Sequence, residues 1–182
     1  MINANKLLPT GEIRVNCRLT FTQHLFTARP GENGKPGKYE CTLLIDKDDK
    51  EAVKLINDSI ESAKETFKEK FGAPRGKLKT WVRDGDEERP DDPNYANKLY
   101  FTAKADRKPD VKIRENGMLV DALDESEVYS GSYGAAVVRF YPYKTPDNAA
   151  GISCGLNAVI KLEDGPRLGG GSSSADAFAD LV

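Results

Sequence analysis

The stretch "SGSYGAAVVRFYPYK", residues 130–144, decides the fold. It alternates like a β-strand, with side chains pointing to opposite faces at a period of two. Gly134, Ala136, Val138 and Phe140 make one set, small and apolar enough for a packed interior. Tyr133, Ala135, Val137, Arg139, Tyr141 and Tyr143 make the other, so three tyrosines and an arginine fall on the face that should meet water. Val137 in that second set implies that the face is partly covered, by a helix or a loop.

Three further stretches share this alternation. "KYECTLLI" (38–45) places Tyr39, Cys41, Leu43 and Ile45 on one side. "KLYFTAKA" (98–105) turns Leu99, Phe101, Ala103 and Ala105 inward and Lys98, Tyr100, Thr102 and Lys104 outward. "GISCGLNAVIKL" (151–162) sets Ile152, Cys154, Leu156, Ala158 and Ile160 on one face. Shorter strands are expected at Ile13–Thr20, Leu78–Arg83 and Val111–Arg114. Turn chemistry separates them at 30–37 (PGENGKPG), 84–94 (DGDEERPDDPN), 114–117 (RENG) and 144–148 (KTPDN).

One long helix is expected, over residues 46–72. Val53, Ile56, Ile60, Ala63, Phe67 and Phe71 recur at spacings of three and four as one apolar stripe. Acids at its start, Lys68 and Lys70 in its last turn, and Gly72 as a stop suit the helix dipole and its end. Such a stripe packs on a sheet or plugs it. The inventory predicts a mainly β protein with one long helix, an OB-fold-like antiparallel barrel with extended loops. A β-sandwich with an inserted helix has the same periodicity. Residues 1–165 are expected to form the domain, and 166–182, with its GGGSSS run, a flexible C-terminal tail.

Hydrophobic residues make up 38% of the 182, charged ones 31%, and the net charge is −2, so a globular protein with a real core is expected. The charge is banded. Residues 73–83 hold Arg75, Lys77, Lys79 and Arg83 and no acid, and 94–114 hold six cations against Asp106 and Asp110. Acidic bands at 84–92 and 115–128 lie between and after them. Cys17, Cys41 and Cys154 are odd in number and far apart, which fits neither a disulfide framework nor a metal knuckle. With no apolar run of membrane-span length, a cytoplasmic protein without membrane contact is expected.

No nucleophile, metal or phosphate-loop motif stands out. His24 is the only histidine, and Asp84, Asp86, Glu87 and Glu88 lack the spacing of a calcium loop and read as solvated. No cofactor and no enzymatic activity are expected. A face that mixes aromatics with Lys and Arg suits single-stranded nucleic acid, because unpaired bases stack on the rings and cations meet the phosphates. The candidates are Lys98, Tyr100 and Lys104 beside Tyr133, Arg139 and Tyr141, with Lys79, Trp81, Arg83, Arg107 and Lys108 from the basic bands. Trp81 reads equally as a stacking platform or as core, and Tyr133 and Tyr143 as rim or packing residues. Two other classes fit the composition: a protein-interaction or virion accessory barrel, and a metal-dependent nuclease using the 84–88 carboxylates.

The tracts "KYECTLLIDKDD", "WVRDGDEERPDDPNYANKLYFTAKADRKPDV", "VYSGSYGAAVVRFYPY" and "GISCGLNAVIKLEDGPRLGG" occur here in order. Together they resemble a family of phage single-stranded-DNA-binding proteins. The resemblance implies an OB-fold that coats single-stranded DNA during replication or recombination without sequence preference, in the host cytoplasm. It carries over the tracts Trp81–Asp86, Tyr100–Val111 and Tyr129–Tyr143, in which Gly131 and Gly134 read as backbone requirements. It also implies a C-terminal tail that recruits replication or recombination proteins. Here that tail offers only Asp176, Phe178 and Asp180, weaker than a strongly acidic tail.

Overall fold

A computed structural model describes residues 2–168. Five strands close into a barrel: β2 (Ile13–Thr20), β3 (Tyr39–Asp46), β5 (Lys98–Ala105), β8 (Tyr133–Lys144) and β9 (Ala150–Glu163). Going round, β2 pairs antiparallel with β3, β3 with β5, β8 with β9 and β8 with β2. A parallel contact of Lys104 with Gly155 closes β5 onto β9. This is the order of an OB-type barrel, and closure removes the exposed edges that an open sheet would present.

Smaller pieces decorate the barrel. β1 (Lys6–Leu7) lies on β2, and β4 (Arg83–Asp84) lies on β5. β6 (Asp110–Glu115) runs parallel to the second half of β9 and carries β7 (Met118–Asp121) outside it. Asn116 and Gly117 turn the β6–β7 hairpin with φ of 50° and 78°, as a two-residue primed turn requires.

A single turn, α1 (Gln23–Phe26), follows β2, and the long helix α2 (Lys50–Phe71) follows β3. Asp49 caps it by accepting the Ala52 N–H, and Gly72 ends it at φ 80°. Ala52, Ile56, Ile60, Ala63 and Phe67 are buried in one core with Val15, Leu19, Leu43, Ala136, Val138 and Phe140. The expected stripe therefore seals the barrel, except that Val53 is only half-buried, with Ala52 inside in its place, and Phe71 stays partly exposed and leans on Phe67 at 5.0 Å. The quoted strand behaves as read: Gly134, Ala136, Val138 and Phe140 are buried, while Arg139 and Tyr141 are exposed. A Cβ on Gly134 would sit 1.8 Å from the Ile160 carbonyl oxygen, so that crossing of strands admits only glycine.

Three expectations are corrected. In β9 the inward set is Ile152, Cys154, Leu156 and then Val159, because Asn157 is an extra residue opposite the Val137–Val138 step. That bulge inverts the parity, so Ala158 and Ile160 are only half-buried. Leu78–Arg83 is no continuous strand: Lys79 bridges Gly151, the chain breaks at Trp81, where φ is 62°, and pairing resumes only at Arg83, in β4. Tyr100, expected to face solvent, is 7% exposed, covered together with Leu44 by Tyr95. Residues 166–168 lie against the barrel: Arg18 donates to the Pro166 carbonyl at 2.7 Å, and the Leu168 N–H donates to Ser130.

Candidate nucleic-acid interface

A groove of about 770 Å³ crosses the barrel over β3 and β5, bounded by the start of β9 and by the loops after β2 and α2. In OB-type barrels this face and these loops are where oligonucleotides lie. Four cations line it, Arg29, Arg83, Arg89 and Lys104, against one carboxylate, Glu40. Glu40 is already engaged, since Arg29 donates to it at 2.9 Å and the Lys104 ammonium lies 3.9 Å away. The excess positive charge sits in a concave site, where low-dielectric walls focus it.

The aromatic lining comes in two kinds. Tyr95 and Tyr100 are buried in the wall and meet edge to face at 5.0 Å. The Arg89 guanidinium spreads over both rings, 4.6 Å and 5.6 Å from their centroids, which holds its flat face in the groove. Burial pushes the Tyr95 phenol above its ordinary pKa, so it remains neutral near pH 7. Phe21, Trp81 and Tyr141 are the exposed kind, at 50%, 44% and 39%. The Tyr141 ring lies over Gly155, within ordinary contact distance of where a Cβ would stand.

Trp81 is held from two sides. Its indole N–H donates to the Tyr143 hydroxyl at 3.1 Å, and the Lys79 ammonium sits 3.4 Å from the ring centroid. Tyr143 fits there because Gly151 has no side chain; a Cβ would lie 2.8 Å from the Tyr143 hydroxyl oxygen. The backbone of Lys79 is fixed in turn by the Ile152 N–H, which donates to its carbonyl at 2.7 Å.

Six non-glycine residues among those described have positive φ. Four are asparagines, the residue type that tolerates the left-handed region. The other two are Phe21 (55°) and Trp81 (62°), both aromatic, both exposed, and both in this groove. Strain of this kind persists where the surroundings impose it, and it clusters at sites of function.

Of the residues expected from sequence, the groove therefore gathers Trp81, Arg83, Tyr100, Lys104 and Tyr141, with Lys79 behind the indole. The others lie elsewhere. Lys98 is at the far end of β5, paired with Asp46 at 3.9 Å. Arg107 and Lys108 are exposed in the β5–β6 loop, with the Lys108 ammonium 5.8 Å from the Phe26 ring. Tyr133 starts β8 under the Arg18 guanidinium, at 4.9 Å. Arg139 leans away from the groove and donates to the Thr10 carbonyl at 2.6 Å. Asp176, Phe178 and Asp180 lie outside the described residues.

Sequence reasoning missed Phe21, Arg29, Arg89 and Tyr95 as lining residues. Arg89 and Tyr95 hide in the acidic stretch 84–95, where Asp84, Asp86 and Asp92 are engaged within the fold. Lys47 donates to Asp84 at 2.6 Å and to Asp86 at 2.7 Å, and that ammonium holds both carboxyls below the usual carboxylate range. Asp84 also caps the short helix α3 (Gly85–Glu88). Among the described residues there is no group of three metal-type side chains. Burial raises all three thiols, that of Cys41 to about 12, so they stay protonated. No helix among the described residues is long and apolar enough to cross a membrane.

The chain matches the family described as "Enterobacter phage Enc34, ssDNA-binding protein" over residues 10–181. Among solved structures it is similar to the single-stranded DNA-binding protein from bacteriophage Enc34 in complex with ssDNA. The identity is 28% and the TM-score 0.76, over 93% of this chain and 96% of that one. Another structure of the Enc34 protein matches at 26% identity and TM-score 0.72, over 98% and 96%. The gp2.5 single-stranded DNA binding protein of bacteriophage T7 matches at 17% identity and TM-score 0.56, over 94% and 95%, a likeness of fold alone. Among curated proteins none matches in sequence.

Proposed function

The chain belongs to the family of the Enterobacter phage Enc34 ssDNA-binding protein, and from that membership we propose that it binds single-stranded DNA in the groove over β3 and β5. Phe21, Trp81 and Tyr141 stack on bases, each worth ~1–3 kcal/mol, and Arg29, Arg83, Arg89 and Lys104 meet phosphates. Stacking uses the π-face that every base has, so the binding is indifferent to sequence. The protein acts as a coat for exposed strands in phage replication or recombination and catalyses no reaction. Residues 1–165 carry the DNA contacts, and the tail from 166 is the segment through which replication or recombination proteins are recruited.

One observation carries this reading: the two non-asparagine side chains held at positive φ are exposed aromatics of one cationic groove. A protein-interaction barrel needs no such strain beside four cations. The test is fluorescence anisotropy on a labelled oligo(dT), with matched duplex and RNA, over a salt series. If all four cations meet phosphates, log K falls with log salt at a slope of roughly −3, from about −0.7 per contact on a single strand. Equal affinity for duplex and single strand, or no binding at low salt, overturns the proposal.

A further inference from the structure

The acidic band at 115–128 has a use that the groove does not absorb. It forms β7 and the turn after it, at the outer edge of the sheet. Met118, Leu119 and Leu123 stand 66%, 63% and 81% exposed there. The turn is held in place: Ala122 and Val128 are buried, the Leu123 N–H donates to the Glu127 carboxylate at 2.5 Å, and Asp124 accepts from the Ser126 N–H at 2.8 Å. Three large apolar side chains on an ordered, acid-rimmed edge strand mark an interaction surface.

The complement lies on the same chain. In the last turn of α2 and just past it, Lys70, Arg75 and Lys77 are exposed, and Phe71 is partly so. None of these three cations, nor Glu115, Asp124, Glu125 or Glu127, takes part in an ion pair among the described residues. Within one copy the two surfaces stand apart. The 73–79 segment reaches β9 at Gly151–Ile152, whereas the β6–β7 hairpin rides on Ala158–Ile160. From Ile152 to Ala158 is six residues of strand, up to about 20 Å at ~3.3 Å each.

We propose that the β7 edge and its turn dock onto the basic segment after α2 in the next copy of this chain, head to tail. A contact between two different surfaces repeats without closing on itself unless the rotation happens to return. It therefore builds a row of copies, in which each copy's own β7 edge, at the Ala158–Ile160 end of β9, lies away from its own groove at the start of β9. That such a row forms along single-stranded DNA rests on the groove reading above; the contact between copies does not.

The test compares wild type, Leu123→Asp and Glu125→Lys on a short oligo(dT) that holds one copy and on a long one that holds many. Wild type binds the long strand cooperatively. Both variants lose that cooperativity by ~10-fold or more while keeping the short-oligo affinity, as expected when a buried apolar anchor or a facing charge is removed from an interface. Combining Glu125→Lys with Lys77→Glu in one chain restores it, because every junction regains an opposite pair. Sedimentation of the protein alone at high concentration reads the same contact without DNA: wild type self-associates and Leu123→Asp does not. Unchanged cooperativity and unchanged self-association in both variants overturn the contact. Loss of short-oligo binding by wild type would instead overturn the groove reading.

Discussion

Replacing Trp81 by glycine and, separately, by alanine separates its two roles. The residue is 44% exposed, so burial of a little over half of the indole is lost in either variant. At ~1.5–3 kcal/mol for a fully buried large side chain, that is about 1–1.5 kcal/mol. The Lys79 contact over the ring adds ~0.5–1 kcal/mol at an exposed site. Alanine keeps the strained backbone at φ 62°, and its stability falls by about 2 kcal/mol. Glycine adopts that φ freely and recovers ~1 kcal/mol. In a chain of this size the glycine variant then melts roughly 2–4 °C above the alanine variant. Both lose the same stacking platform, ~1–3 kcal/mol or about 5- to 150-fold in affinity. Thermal melts and oligo(dT) anisotropy on the same preparations provide the measurement. Equal melting of the two variants would refute the strain argument, and wild-type affinity in either would refute the platform.

Tyr141→Ala is expected to weaken single-strand binding by ~1 kcal/mol or more while the protein stays folded, its stability lower by only about 1–2 kcal/mol, because the ring is 39% exposed and rests on Gly155 at the surface; a lost fold with intact affinity would reverse that assignment. Arg89→Gln should make the salt slope shallower by ~0.7, the share of one phosphate contact on a single strand, as read from titrations at several salt concentrations. Asp84 and Asp86 are held below the usual carboxylate range by the Lys47 ammonium, so their contribution to stability is complete above that range and is lost as pH falls through the lowered values. Lys47→Met should therefore flatten the acid limb of stability, measured by denaturant midpoints from about pH 6 down to about pH 2; identical limbs in wild type and variant would count against the pairing.

The barrel was legible because its inward residues obey a period of two over whole strands, as in Gly134, Ala136, Val138 and Phe140. The helix was legible because its buried residues, Ile56, Ile60, Ala63 and Phe67, repeat at three and four. Periodicity failed where the backbone departs from the regular strand. The Asn157 bulge inverts β9, so Val159 replaces Ala158 inside, and no composition cue marks that extra residue. Tyr100 points out of the barrel, as its parity predicts, but the polar loop 84–97 folds Tyr95 and Arg89 back over it. A local pattern records which way a side chain points and leaves out what a distant loop lays on top. Arg139 shows the converse, since it shares the parity of Tyr141 yet reaches round the barrel to the Thr10 carbonyl.

The two rim aromatics illustrate why binding residues escape a pattern-based reading. Phe21 stands one residue past the end of β2, and Trp81 stands between the Lys79 bridge and β4. At Phe21 a strand turns into the left-handed region and stops pairing, and at Trp81 the same turn interrupts pairing between the single Lys79 bridge and β4. In a regular strand either side chain would have alternated in or out of a sheet face like its neighbours. The turn instead places each ring on the rim of the groove, at a cost of roughly 1–2 kcal/mol per residue in an L-amino acid. Local rules are broken at these two positions because the groove requires an orientation that a regular strand cannot supply. Phe21→Gly should therefore behave as Trp81→Gly does, holding stability better than Phe21→Ala while binding oligo(dT) ~5-fold or more weakly. Were Phe21→Gly to bind like wild type, the strain at that position would have to be explained by the loop alone.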